Sequence, residues 1–171
     1  GDPRKHAVDA NAMPGIIHIE DPYCYRCPWS QTLGSCEYEC VKHMERVILF
    51  ENPKRIAAIM IEGESGTSGC IKYPPLYWKK VKELSVKYDI ILISDEVMSG
   101  FGRCGAWFAV QNSRIEPDII VTSKGLTSGY LPLGAVSVSK KIAEFFNDNA
   151  FVAGLTGSSY PLGCAAALAN I

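Results

Sequence analysis

The chain has 171 residues, 47% hydrophobic and 10% aromatic, with 17 Lys and Arg against 18 Asp and Glu. That composition suits one globular core of common domain size and excludes a disordered or collagen-like chain. A formal net charge of −1 without a basic tract gives no electrostatic reason to expect nucleic acid or an anionic membrane as partner. The longest apolar stretches, such as Ile56 to Ile61 and Cys164 to Ala169, are far shorter than the roughly 20 residues that cross a bilayer. No apolar run follows the start Gly1-Asp2-Pro3-Arg4-Lys5, as a secretory signal requires.

Residues 1 to 50 are predicted to be loop-rich, with Pro3, Pro14, Pro22 and Pro28 interrupting any long period. One helix closes this segment, because Val41, Met44, Val47 and Ile48 fall on one face at i, i+3, i+6 and i+7. From residue 51 to 171 strands and helices alternate. Ile56 to Ile61 is a short continuous apolar run of the kind buried on both faces of a parallel sheet. After a Gly/Ser-rich loop and Pro74-Pro75, a helix is predicted over Leu76 to Tyr88. Leu76, Val81, Leu84 and Val86 are among its apolar positions, and Lys79, Lys80, Lys82 and Lys87 are solvated. Ile90 to Ile93 and Ile119 to Val121 are the next strands, and Ala135 to Ser139 a further one. Helices follow at Lys140 to Phe146 and, after Pro161, at Leu162 to Ile171. Such alternation predicts an α/β fold with a mostly parallel sheet flanked by helices.

Seven cysteines, an odd number, argue against a closed disulfide framework and fit a reduced, cytoplasmic protein. Cys24, Cys27, Cys36 and Cys40 have the spacing Cys-x2-Cys-x8-Cys-x3-Cys, which allows four thiolates to converge on zinc. The reading adopted is the plainer one, small apolar and loop residues without a metal. Cys70, Cys104 and Cys164 read as packing residues. His6, His18 and His43 show no ligand spacing, and Trp29, Trp78 and Trp107 read as core or interface residues.

The chemistry-bearing residues stand at strand ends. Ile90 to Ile93 leads into Ser94-Asp95-Glu96, and Ile119 to Val121 into Thr122-Ser123-Lys124, the edge where open α/β sheets bind ligands. A carboxylate there needs a cationic or hydrogen-bonding partner. A lysine at the end of a buried strand sheds its proton more readily than a surface lysine and becomes a nucleophile toward a carbonyl. A plain Asp95–Lys124 ion pair fits the spacing equally well.

The stretches from Ile93 to Gly105 and from Ser123 to Leu126 resemble the signature of the class III, pyridoxal phosphate-dependent aminotransferases of fold type I. The resemblance continues through Pro117 to Ile120, Gly129 to Ala135 and Thr156 to Pro161. Pro22 to Pro28 is similar to a loop of the subgroup acting on taurine, β-alanine and other small ω-amino acids. The resemblance implies the large domain of such an enzyme, with pyridoxal 5'-phosphate as cofactor. A small-molecule amino donor and a keto acid acceptor such as pyruvate would be its substrates. Lys124 would bind the cofactor aldehyde covalently and act as general base, and Asp95 would pair with the pyridine nitrogen. Val97 would pack against the ring, with a core position as the other reading. Thr156 would donate its hydroxyl to the phosphate of the neighbouring subunit, in a homodimer with shared sites, although a turn residue fits the same Gly/Ser loop. Glu62, at the end of the first strand, matches a glutamate near the substrate pocket, and equally reads as solvated. Met98 stands where many members have glutamine, and Glu96 and Arg103 read as loop-fixing residues or a surface ion pair.

Class III enzymes are much longer, so the resemblance implies a middle piece that lacks N-terminal and C-terminal parts. Residues 1–50 would belong to the large domain and 51–171 to its cofactor-binding core. Alternatives within the fold are a decarboxylase or an aminomutase, and outside it a non-catalytic fragment that binds a partner or zinc.

Overall fold

The computed structural model describes residues 13–171, so Pro3 and His6 lie outside the described residues. Four strands form one sheet in the order β1 (Ala58–Glu62), β2 (Ile91–Asp95), β3 (Ile119–Thr122), β4 (Ala135–Val138). The first three are parallel, and β4 runs antiparallel to β3. The expected α/β architecture is therefore present, with a mixed sheet. Among the described residues, four α-helices accompany it: α1 (Glu39–Phe50), α2 (Tyr77–Tyr88), α3 (Lys140–Asp148) and α4 (Pro161–Asn170).

The core sits between α1, α2 and one face of the sheet. α1 turns Cys40, Val41, Met44 and Ile48 inward, and α2 turns Tyr77, Trp78, Val81 and Leu84 inward. This is the amphipathic period read as packing. These side chains close over Ile59, Ile90, Leu92 and Val110. Glu45 of α1 ties the two helices by accepting from Lys87 Nζ at 2.7 Å and Tyr88 Oη at 2.8 Å. Asp118 fixes the entry of β3 against β2, since its carboxylate accepts from the Leu92 N–H at 2.8 Å.

Two expectations are corrected. The apolar runs are not buried on both faces: Ile59 and Leu92 are buried, whereas Met60 is 58% exposed and Ile91 37%. Among the described residues, the helices packed in this core cover one face, and β1 stands at the edge of the sheet. Cys70, read as a packing residue, is exposed, and Val86 also faces solvent.

Candidate active site

Strand register brings Glu62, Asp95 and Lys124 to one edge of the sheet. Glu62 and Asp95 are Cα partners at the ends of β1 and β2, and Asp95 is in turn the partner of Val121 in β3. β3 ends at Thr122, and Lys124 opens the short 3-10 turn Lys124–Thr127 just beyond it. This is the carboxyl-end edge of parallel strands, where the backbone leaves a crevice for ligands.

Asp95 is half-buried, and its Oδ1 accepts from the Val97 N–H at 2.9 Å. That bond turns the chain out of the strand, which ends at Asp95, so Val97 lies in the turn beyond it. Asp95 makes no ion pair with Lys124. The Lys124 ammonium is exposed and has no ion-pair partner among the described residues, and its backbone takes a left-handed φ of 38°.

The Lys124 turn is held from three sides. Ser123 Oγ donates to the Leu133 carbonyl at 2.8 Å, and Thr127 Oγ1 to that of Leu131 at 2.6 Å. Asn170, the last residue of α4, donates through Nδ2 to the carbonyls of Gly125 at 2.9 Å and Leu126 at 3.2 Å, and it also pairs with Ser128 Oγ. None of these fixing residues was singled out from sequence. Side chains that bind carbonyls across 10 or 45 positions have no local signature.

Glu62 and Asp95 line the end of a cavity of about 620 Å³ that runs along β1 and includes Ser65, Tyr73 and Tyr77. Glu62 Oε2 accepts from the Gly66 N–H at 2.6 Å, so the carboxylate shapes the glycine-rich loop rather than standing free in solvent. Burial, and then the nearby Glu62 and Asp21, push the Tyr73 phenol well above its ordinary range, leaving a neutral hydroxyl in the cavity. Tyr73 escaped the sequence reading because an aromatic residue beside two prolines signals only a loop. Val97 is half-buried beside Asp95. Thr156 lies in the exposed loop between α3 and α4, and no described contact joins it to Asp95, Val97 or Lys124.

The chemistry of this donor set fits pyridoxal phosphate. One carboxylate at a strand end retains acceptor capacity, and one uncommitted amine stands at the end of the adjacent strand.

The description Aminotransferase class-III matches residues 2–171. The chain belongs to the class III aminotransferases. It is 40% identical over 160 residues to the putrescine–pyruvate aminotransferase of Pseudomonas aeruginosa, covering 93% of this chain and 35% of that protein. An (S)-enantioselective omega-transaminase from Thermomicrobium roseum superimposes with a TM-score of 0.87 at 41% identity, covering 92% of this class III chain and 36% of the other. An amine transaminase from an uncultivated Pseudomonas species, solved in its PLP-bound form, gives a TM-score of 0.85 at 34% identity, covering 89% and 36%. The chain spans about a third of the length of these relatives. The expected α/β fold, shared with these transaminases, is thereby shown.

The cysteine segment has a different character. Cys24, Cys27, Cys36 and Cys40 surround one small apolar hollow, and all four thiols are free. Among the described residues, no group of three or more His, Cys, Asp or Glu side chains is arranged to hold a metal ion. Burial, then the neighbouring Cys36 and Cys27, raise the Cys24 thiol, and burial pushes Cys40 up to about 11.

Proposed function

We propose that this protein, as a whole, transfers an amino group from a small ω-amino acid or amine to a keto acid such as pyruvate, using pyridoxal 5'-phosphate. The observation that carries the proposal is the placement of Asp95 at the end of β2 and Lys124 just beyond the adjacent parallel β3, without pairing to each other. The family and the likeness to a putrescine–pyruvate aminotransferase support the reaction class.

When bound, pyridoxal phosphate supplies an aldehyde for covalent capture of an amine and a ring that withdraws electrons from the reacting carbon. Lys124 Nζ would hold that aldehyde and, when free, hold and move a proton as general base. Asp95 would orient the ring nitrogen and favour its protonated form, since an adjacent carboxylate stabilises a cation. Val97 would pack against the ring. Glu62 and Tyr73 would border the substrate side of the cavity, and the neutral Tyr73 hydroxyl offers a donor there.

We further read residues 1–50 and 51–171 as parts of one large domain, working in a cytoplasmic homodimer with shared sites. Thr156 would serve the partner's phosphate. Exposed Phe145, Phe151, Val152 and Leu155 support coverage of this surface in the whole assembly, because large apolar patches on soluble proteins mark contacts. No helix among the described residues is long and apolar enough to cross a membrane.

Borohydride reduction of the cofactor-loaded full-length protein, followed by peptide mapping, tests the central assignment. The label is expected on Lys124, and label on another lysine would overturn it.

A further inference from the structure

Glu96, between the two residues assigned to the cofactor ring, is 0% exposed. The surface ion pair that its sequence context allowed is not what the fold makes of it. Oε1 accepts from Ser94 Oγ at 3.2 Å and the Val110 N–H at 3.1 Å. Oε2 accepts from Ser99 Oγ at 2.5 Å and the Ala109 N–H at 2.9 Å. All four partners are neutral donors, and each oxygen takes one hydroxyl and one backbone N–H. Burying a carboxylate is costly unless its oxygens are satisfied, and here both are.

The backbone around Glu96 is equally committed. Its N–H donates to the Val121 carbonyl at 2.8 Å, its own carbonyl accepts from Gly100 at 2.9 Å, and the preceding Asp95 carbonyl accepts from Gly63 at 2.7 Å. Gly63 lies so near that a β-carbon there would stand 2.5 Å from Glu96 Cδ. The ends of β1, β2 and β3 and the turn Ala109–Ser113 therefore converge on this one residue. The Asp95 side chain, by contrast, accepts a single local hydrogen bond, from the Val97 N–H.

We propose that Glu96 is a positioning residue that acts through Asp95, locking the strand end and the turn after it so that Asp95 and Val97 present a fixed seat to the cofactor ring. The proposal rests on the reading of Asp95 as the ring partner. A side chain that must meet a ring nitrogen needs placement to within about 0.5 Å, and such precision comes from the groups behind it. Glutamine cannot take over from Glu96. Whichever way its amide is flipped, the NH2 group faces a backbone N–H, either Ala109 or Val110. Aspartate keeps two acceptor oxygens and is one methylene shorter.

The test measures the dissociation constant for pyridoxal phosphate on the full-length apoprotein, for Asp95→Asn, Glu96→Gln, Glu96→Asp and the Asp95→Asn/Glu96→Gln double variant. Glu96→Gln is expected to weaken binding roughly tenfold to a hundredfold, with partial recovery in Glu96→Asp. In the Asp95→Asn background, Glu96→Gln should add much less than it does alone, because the residue it positions is already disabled. Fully multiplicative losses, or a Glu96→Gln change of less than about twofold, would overturn the positioning role while leaving the site assignment intact. Unchanged affinity in Asp95→Asn alone would instead overturn the ring-partner reading and this proposal with it. Should Glu96→Gln not fold, Ser99→Ala removes one of the four donors and should show the same sub-multiplicative pattern at smaller amplitude, with full multiplicativity counting against the role.

Discussion

Gly125 passes Phe101 so closely that a β-carbon on the glycine would stand 2.9 Å from Phe101 Cβ and 3.4 Å from the Gly100 carbonyl oxygen. The turn that carries Lys124 therefore leans on the loop that leaves Asp95, and the two assigned residues are spaced by this contact rather than by an ion pair. Gly125→Ala should force the two loops apart. We expect a loss of about 1–3 kcal/mol in folding stability by denaturant unfolding, together with reduced borohydride labelling of Lys124. Wild-type values for both would show that the contact is slack.

Gly63→Ala is the more severe of the two glycine substitutions. The added carbon would meet Glu96 Cδ, Glu96 Oε2 and Ser99 Oγ, each at 2.5 Å, where neither carboxylate nor hydroxyl can move without leaving its partners. The Trp78 indole, which donates to the Gly63 carbonyl at 2.9 Å, ties the same residue to the core. A loss of about 3 kcal/mol or more is expected, read as a lowered unfolding midpoint. A midpoint unchanged from wild type would contradict the packing described.

Asp95→Asn keeps the shape of the side chain and an oxygen for the Val97 N–H, but removes the charge that favours a protonated ring nitrogen. Cofactor should still bind through Lys124, though less tightly. In single-turnover kinetics of the full-length enzyme we expect kcat to fall roughly 10²-fold, about 2.7 kcal/mol. An unchanged rate of proton abstraction would make Asp95 a structural residue.

Cys40 predicts an alkaline limit. A free thiol ionises near 9.0, while burial in the core raises folded Cys40 to about 11. The native state therefore holds the proton more tightly, so this contribution to stability is complete below pH 9.0 and is lost as pH rises through about 11. Its size is on the order of 2 kcal/mol. Denaturant unfolding across this interval should fall more steeply for the wild type than for Cys40→Ala, and parallel curves would contradict the assignment.

The period of the apolar residues made most elements legible. Val41, Met44 and Ile48 announced α1, Val81 and Leu84 announced α2, and the runs before Asp95 and Lys124 announced β2 and β3. Asp95, Lys124 and Glu62 could be placed at strand ends because a run of apolar residues that stops at a charge marks the point where the chain meets water. Whether those ends lie side by side, whether β4 reverses, and which face of β1 is covered depend on pairing between distant segments. Residue pattern within a segment carries little information about such pairing.

The sequence by itself thus determined the family signature, the strand-and-helix alternation and the identity of the chemistry-bearing residues, since each is written in neighbouring positions. Only the tertiary structure decided the partners. It left Lys124 free of Asp95, brought Asn170 back to the Lys124 turn, and converted Glu96 from a charge in a loop into a buried acceptor for Ser94, Ser99, Ala109 and Val110. The physical reason is desolvation: once Glu96 is removed from water its oxygens must find donors within hydrogen-bond reach, and only the folded chain supplies them.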